Sequence, residues 1–196
     1  KMKNTTNLVF IMLIFIVSFY TGIFGQADVY FPLHKGDYWQ YKLIDGLKDE
    51  FYWDRKVESV DTLVEESEDL RLDSAIIYKI VEHSMIYYYK VKVNDNSVVY
   101  RRATDNDTSF YPWYKFNVES GTGWYGGDTY NIKFESTGIH FTSWYQIDSI
   151  YKFEFGYAGN FVITYHYLMK NIGAYWLDGE FSMSVLMGCI IDGITY

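Results

Sequence analysis

Apolar and polar residues alternate along most of this chain with a period of two. In residues 85–93 the odd positions are Met, Tyr, Tyr, Val and Val, whereas the even positions include Lys90 and Lys92. Successive side chains of a β-strand point to opposite faces, so this pattern predicts a strand whose odd positions face the core. Turn-forming residues follow at 94–96 and a β-branched run at 97–102, which together predict a β-hairpin.

Similar segments recur between turn-forming residues elsewhere in the sequence. Residues 51–64 predict one long strand, with Trp53 and Val57 on the same face. Further strands are predicted at 75–83, 151–155 and 161–167. We find no amphipathic helical pattern of useful length, no internal repeat and no linker. The chain is therefore predicted to be all-β, an antiparallel meander that curls into a barrel, a half-barrel or a sandwich.

The first residues have the organisation of a secretory signal peptide. A start with two lysines precedes an apolar run at 8–20, and small residues follow that run. We predict a signal-peptide helix at residues 1–27, with cleavage after Ala27 as the first choice and after Gly25 as the second. The alternative is an uncleaved membrane anchor, because the apolar character approaches the length of a short span. Residues 28–196 are then expected to form a single β-rich domain.

Acidic residues outnumber basic ones in this chain. It contains 25 Asp and Glu against 17 Lys and Arg, which gives a net charge of −8 and a pI of about 4.9. Nucleic-acid binding needs clustered cations that displace counterions from phosphates, so we expect no nucleic-acid partner. Contact with a membrane is expected only through the signal segment, if that segment stays uncleaved.

Cys189 is the only cysteine. It lies too far from the leader to carry a lipid at the cleavage point, and a single cysteine cannot form an internal disulfide. Its apolar neighbours in residues 186–191 predict a buried thiol rather than a nucleophile.

No motif in the sequence assigns a catalytic role. Residues 121–126 match G-x-G-x-x-G, but a strand-like segment follows where phosphate binding needs a helix, so we interpret them as a glycine-rich turn. Residues 105–109 resemble the start of a calcium loop, but phenylalanines replace its later Gly and Glu, which leaves a looser calcium site or a polar loop. The four histidines lack metal-ligand spacing. We therefore predict an exported, non-catalytic interaction domain, with no catalytic residue, metal or cofactor.

Aromatic residues make up 21% of the chain, which suggests a second function. A half-open β-barrel could use such side chains to carry a lipid or another apolar ligand. The residues expected to line its cavity are Tyr87, Tyr89, Phe153 and Tyr165.

A third function is carbohydrate binding, because exposed rings can stack on sugars. Its expected site is a cluster of Trp113, Trp124 and Trp144 in the middle of the chain. The competing interpretation of all these aromatic residues is that they fill strands and core.

Both ends of the domain carry recognisable segments. Residues 30–41 read Y-F-P-L-H-K-G-D-Y-W-Q-Y, residues 172–173 read I-G, and residues 190–196 read I-I-D-G-I-T-Y. They resemble the F-P-L-x-x-G-x-x-W-x-Y opening and the G-I-G and I-I-D-G-x-x-Y close of uncharacterised exported domains of Bacteroidetes-type bacteria. The resemblance implies a β-rich domain located outside the cell or on its outer surface, with the periplasm as alternative. It also implies a type IX secretion sorting domain, which often follows, and no catalytic residues.

The last residues predict an interrupted hairpin. Asp192-Gly193 lies between apolar runs, and both central positions of a type I′ turn need positive φ. The strand that follows has only residues 194–196, too few to pair strongly. We therefore expect the domain to be truncated here, with the native chain continuing past Tyr196.

Overall fold

Strands account for nearly all of the chain that the structure describes. The computed structural model describes residue 27 and residues 30–45, 50–66, 72–102, 108–127, 129–141, 147–157, 163–179 and 182–196. The strands are β1 (Tyr38–Asp45), β2 (Glu50–Glu66), β3 (Leu72–Glu82), β4 (Met85–Lys92), β5 (Val98–Arg102), β6 (Phe110–Lys115), β7 (Gly123–Gly126), β8 (Tyr130–Phe141), β9 (Ile147–Tyr157), β10 (Ile163–Met169), β11 (Gly173–Gly179), β12 (Ser182–Ile191) and β13 (Ile194–Thr195). The prediction of an all-β fold is confirmed. The predicted signal-peptide helix falls outside the described residues, except for Ala27.

The strands form one antiparallel sheet that nearly closes on itself. Strands β1 to β6 pair in sequence, strands β7 to β12 do the same, and β12 pairs with β1. The two outer strands, β6 and β7, have no ladder between them. Across this seam the indole Nε1 of Trp124 donates a hydrogen bond to the carbonyl of Pro112 at 3.2 Å. Of the three predicted architectures, the meander therefore adopts the barrel-like one.

The predicted hairpins form where alternation and turn residues coincide. Strands β4 and β5 pair as expected, and Tyr89 and Val91 are buried on the inner face. Met85 shares their face but is exposed, because it lies at the rim beside the β3–β4 turn. Asp192 and Gly193 both have positive φ, at 48° and 77°, as a type I′ turn requires.

Aromatic rings fill the middle of the sheet's interior. Phe153 and Phe155 are fully buried on β9. Tyr114 lies with its ring centroid 5.1 Å from that of Phe153 and 6.0 Å from that of Phe155. Tilted and edge-to-face pairs of this kind add to the free energy gained by burying apolar area.

The segment before β1 covers one end of the barrel. Phe31 packs its ring 5.2 Å from that of Tyr89 and 5.3 Å from that of Tyr114. Tyr30 lies 4.5 Å from Tyr151, measured between ring centroids. The described residues thus close this end with aromatic side chains, and the opposite end holds the candidate site.

Residues 30–41 and the turn at 172–174 pack against each other. Trp39 donates its indole N–H to the carbonyl of Ile172 at 2.7 Å, and the Tyr41 hydroxyl donates to the carbonyl of Ala174 at 2.6 Å. Gly173 between them has a φ of 88°. A residue there with a Cβ would be strained, which explains a glycine in this turn.

Candidate functional site

The interior of the barrel opens into a cavity of about 190 Å³ at the end where β3 turns into β4. We term it the barrel-end cavity. Nine strands contribute to its wall, which is lined by Arg55, Glu82, Tyr87, Tyr89, Arg101, Trp113, Tyr114, Tyr130, Phe155, Thr164, His166 and Leu177. Charged side chains stand beside aromatic ones on this wall, whereas aromatic rings fill the packed middle of the barrel.

Arg55 and Glu82 form an ion pair on the cavity wall. They are register partners on β2 and β3, and the Arg55 Nε and Nη2 both donate to Glu82 Oε2, at 2.9 and 2.6 Å. Burial acts to lower the pKa of Arg55, but the Glu82 carboxylate and the neighbouring Tyr41, Tyr89 and Tyr114 together hold that pKa well above its usual value. The positive charge of Arg55 is therefore neutralised by its partner.

Arg101 is the second cation of the cavity. Its guanidinium carbon lies 4.2 Å from the ring centroids of both Tyr87 and Trp113. Its Nε is buried and has no hydrogen-bond partner among the described residues. Cation–π contacts of this kind contribute about 0.5–2 kcal/mol and fix the plane of the group. The arrangement leaves an oriented donor without an acceptor.

His166 lies between the two cations and the aromatic core. Its Nδ1 is 2.9 Å from the hydroxyl of Tyr114, and its ring stacks on Phe155 with 3.9 Å between centroids. Burial, followed by the positive charges of Arg55 and Arg101, lowers the pKa of His166 to about 3. Burial likewise raises the pKa of Tyr114 above its usual value. Both groups are therefore neutral at physiological pH.

This arrangement suits anion binding better than acid–base catalysis. A general base or acid works best when its pKa lies near the operating pH. The pKa of His166 is too low for that role and the pKa of Tyr114 is too high. Arg101 retains a charge that no described carboxylate neutralises, and guanidinium groups form strong paired hydrogen bonds with carboxylates.

An apolar groove adjoins the cavity at the rim of the barrel. Its volume is about 320 Å³, and it is lined by Leu43, Phe51, Tyr52, Trp53, Glu82, His83 and Met85. We term it the rim groove. Glu82 lines both spaces, and the hydroxyl of Tyr87 in the cavity donates to the Met85 sulfur in the groove at 3.4 Å. The cavity and the groove thus share a border.

A larger and shallower groove of about 610 Å³ lies on the outer face of β7 to β10. We term it the outer groove, and its lining is Gly123, Trp124, Tyr125, Asn131, Ile132, Lys133, Glu154, Gly156, Tyr157 and Ile163. Tyr125 is 75% exposed there. It is the most exposed of the large apolar side chains that the structure describes.

The four residues expected to line a carrier cavity do not all come together. Tyr87 and Tyr89 lie on the wall of the barrel-end cavity. Phe153 is fully buried in the packed middle of the barrel. Tyr165 alternates with the inward His166 and faces outward, where its ring lies 3.9 Å from the Lys152 ammonium. The cavity that contains the first two is polar, not the apolar space that was expected.

The tryptophans expected to bind sugar do not form an exposed platform. Trp113 and Trp124 are only 4% and 9% exposed. A register shift opposite β5 lets the consecutive residues Trp113 and Tyr114 both face the interior, which strict alternation forbids. Trp124 packs inward against Phe153. Trp144 lies outside the described residues.

Sequence reasoning missed the charged residues of the cavity. Arg55 shares the inward face of β2 with Trp53 and Val57, and Arg101 shares that of β5 with Val99. An arginine in phase with buried apolar positions was the signal available. It marks a cation that the fold carries into its interior.

The described residues hold neither a metal-binding group nor a membrane-spanning helix. No group of three or more His, Cys, Asp or Glu in the described ranges is arranged to hold a metal ion. Within those ranges, no helix is long and apolar enough to cross a membrane.

Comparisons with known proteins give a distant structural likeness. No family model matches the chain, and no curated protein matches it. Among solved structures, it is similar to a "putative lipoprotein" from Parabacteroides distasonis ATCC 8503, with 13% identity, 82% of this chain and 98% of that chain covered, and a TM-score of 0.44.

Proposed function

We propose that this chain is an exported β-domain that binds a small ligand in the barrel-end cavity and does not transform it. One observation carries the proposal: Arg101 projects into the cavity with an unpartnered Nε, between the rings of Tyr87 and Trp113. Keeping such a donor buried without an acceptor costs about 1–3 kcal/mol or more. A ligand that accepts its hydrogen bond would recover that cost.

Binding without catalysis is supported by the state of the titratable groups. The pKa of His166 lies near 3, and Glu82 is tied to Arg55 by two hydrogen bonds. A histidine with so low a pKa is too weak a base to take a proton from a ligand at neutral pH.

Ligand-observed NMR with a library of neutral, anionic and cationic fragments tests this function. Thr164 lies on the cavity wall, so Thr164→Trp fills the cavity. Its neighbour Ile163 lines the outer groove, so Ile163→Trp adds the same ring outside the cavity. We expect some fragments to bind the wild type and Ile163→Trp but not Thr164→Trp. The proposal fails if no fragment shows this pattern while both variants keep the circular dichroism spectrum of the wild type.

Export is part of the proposal, and Ala27 bears on the cleavage site. Ala27 is buried, its amide donates to the carbonyl of Asn96 at 3.1 Å, and its carbonyl accepts from the amide of Phe31 at 2.7 Å. Cleavage after Ala27 would remove these contacts, so they support cleavage after Gly25. The intact mass of the exported protein should correspond to a chain that starts at Gln26. A start at Asp28, or an unprocessed chain, would contradict this.

The proposed location is the outer cell surface or the medium, reached by type IX secretion. The leader and the resemblance of the two end segments support it. Antibody labelling of intact cells, together with analysis of the medium, should detect the protein. Detection only after the outer membrane is opened would place it in the periplasm instead.

Carbohydrate binding remains a second candidate, now at the outer groove. Tyr125 is largely exposed beside the polar Asn131 and Glu154, a combination that suits a sugar's apolar face and hydroxyls. A glycan array should show binding that Tyr125→Ala abolishes. The control Tyr196→Ala removes an exposed ring elsewhere. Equal binding by both variants would exclude the groove.

A further inference from the structure

We propose that the ligand of the barrel-end cavity is a small amphipathic carboxylate, with its anionic head at Arg101 and its apolar body along the rim groove. This inference rests on the proposed function, because it names the ligand class of the same cavity.

The charges in the cavity favour an anion. The cavity wall holds two cations, Arg55 and Arg101, and one carboxylate, that of Glu82. This carboxylate accepts both hydrogen bonds from Arg55. The Nδ1 of His166 and the hydroxyl of Tyr114 form a hydrogen bond of 2.9 Å with each other, and neither side chain contributes a charge. Arg101 therefore leaves the described wall with one positive charge in excess.

The geometry of Arg101 favours a planar head group. Its guanidinium is held 4.2 Å from each of two ring centroids, which restricts its plane and its rotation. A guanidinium presents parallel N–H donors that match the two oxygens of a carboxylate. A fixed donor loses little conformational entropy on binding.

The rim groove favours an apolar body attached to that head. Leu43 and Trp53 form its inner wall, and Met85 contacts Tyr87 of the cavity through the 3.4 Å hydrogen bond. A head at Arg101 thus has apolar surface within reach. The cavity of about 190 Å³ and the groove of about 320 Å³ suit a ligand at the small end of the usual range.

Calorimetric titration with three probes that share one body tests the head group. They are 3-phenylpropionate, 3-phenylpropanamide and 3-phenylpropylamine, which carry negative, zero and positive charge. The carboxylate should bind at least about tenfold more tightly than the amide, and the amine more weakly still. Octanoate tests an aliphatic body in place of the ring, and inorganic phosphate tests a head without a body.

Two adjacent arginines supply a matched pair of variants. Arg101 faces the cavity, whereas Arg102 faces outward with its guanidinium 4.5 Å from the ring of Tyr88 and its Nε likewise without a partner among the described residues. Arg101→Met should reduce carboxylate affinity to that of the amide, and Arg102→Met should leave it unchanged. A general effect of net charge would weaken binding equally in both. Arg101→Lys keeps the charge, so it should retain part of the preference and guards against misfolding of Arg101→Met.

The outcomes separate this inference from the function on which it rests. If the amide binds as tightly as the carboxylate and Thr164→Trp abolishes both, the inference is overturned and the cavity remains a binding site. If phosphate binds as tightly as 3-phenylpropionate, the apolar body is excluded. If no probe binds, the inference is overturned, and the fragment library decides the proposed function independently. If probe binding survives Thr164→Trp, both proposals fall.

Discussion

The carboxylate of Asp37 accepts a hydrogen bond from the backbone amide of Asp192 at 2.8 Å, over a sequence separation of 155 residues. Its other oxygen accepts from the amide of His34 at 2.7 Å, and the Asp37 side chain is only 2% exposed. One side chain therefore ties the segment before β1 to the turn between β12 and β13. In this domain, those two segments serve the closure of the sheet.

Loss of this carboxylate should destabilise the fold. Asp37→Ala leaves the amides of His34 and Asp192 without acceptors, which should lower the free energy of unfolding by about 3 kcal/mol. Guanidinium denaturation measures the change. The control Asp61→Ala removes an exposed carboxylate that accepts a hydrogen bond from the Ser59 hydroxyl. It should change the free energy of unfolding little. Equal losses in the two variants would contradict the structural role.

Glu82→Gln should also destabilise the protein, through Arg55. The Arg55 side chain is 8% exposed, so removing its counter-charge leaves a buried cation uncompensated, at a cost of about 2–4 kcal/mol. Glu58→Gln breaks the more exposed pair with Lys79 and serves as the matched control. We expect the denaturation midpoint to shift clearly for the first variant only. A shift no larger than that of the control would show that water already screens Arg55.

Acid should weaken the fold through His166. In the unfolded chain this histidine binds a proton near pH 6.5, but in the folded protein its pKa is about 3. The stability that depends on its neutral form is therefore complete above about pH 6.5 and is lost as pH falls towards 3, by at most about 1.4 kcal/mol per pH unit.

Urea denaturation at several pH values between 4 and 7 measures this dependence. His166→Gln should flatten the decline relative to the wild type. His83→Asn removes an exposed histidine from a turn with positive φ, so it controls for histidine loss in general. If the wild type and His166→Gln lose stability in parallel, His166 is not the group that responds to acid.

A side chain at Gly126 should crowd the buried Ile132 and Trp113 beside the seam. A Cβ there would meet the Ile132 side chain at 2.5 Å and that of Trp113 at 3.3 Å. We expect Gly126→Ala to cost about 1–3 kcal/mol by overpacking. Gly123→Ala on the same strand would meet nothing closer than 3.6 Å and is the control. Similar thermal midpoints for both variants would mean that the seam repacks freely.

The local pattern of apolar and polar residues predicted strands, but it did not predict which residues each strand contacts. The hairpin at residues 85–102 follows from alternation and turn residues that lie within twenty positions of each other. The inward turn of Trp113 depends on a register shift against β5, which no local pattern records. From the sequence, burial of this ring was therefore only one of two interpretations, beside an exposed position that binds sugar.

The chemistry of the cavity was not predicted from the sequence. Tyr87 and Tyr89 do lie on its wall, but Arg55, Arg101 and His166 reach it from strands far apart in the chain. Only the phase of Arg55 and Arg101 with buried apolar positions marks them locally, and nothing local relates them to His166. Their effect on one another, including the lowered pKa of His166, exists only once the sheet has closed.

The seam between β6 and β7, which has no backbone ladder, affects how the chain could be reconnected. Each ladder of this sheet from β1 to β12 joins two strands that follow one another in the sequence, except the ladder between β1 and β12. A circular permutant that starts at β7, ends at β6 and links β12 to β1 would contain only neighbouring pairs. Its contact order would fall, so it should fold faster than the natural order while it keeps the same barrel.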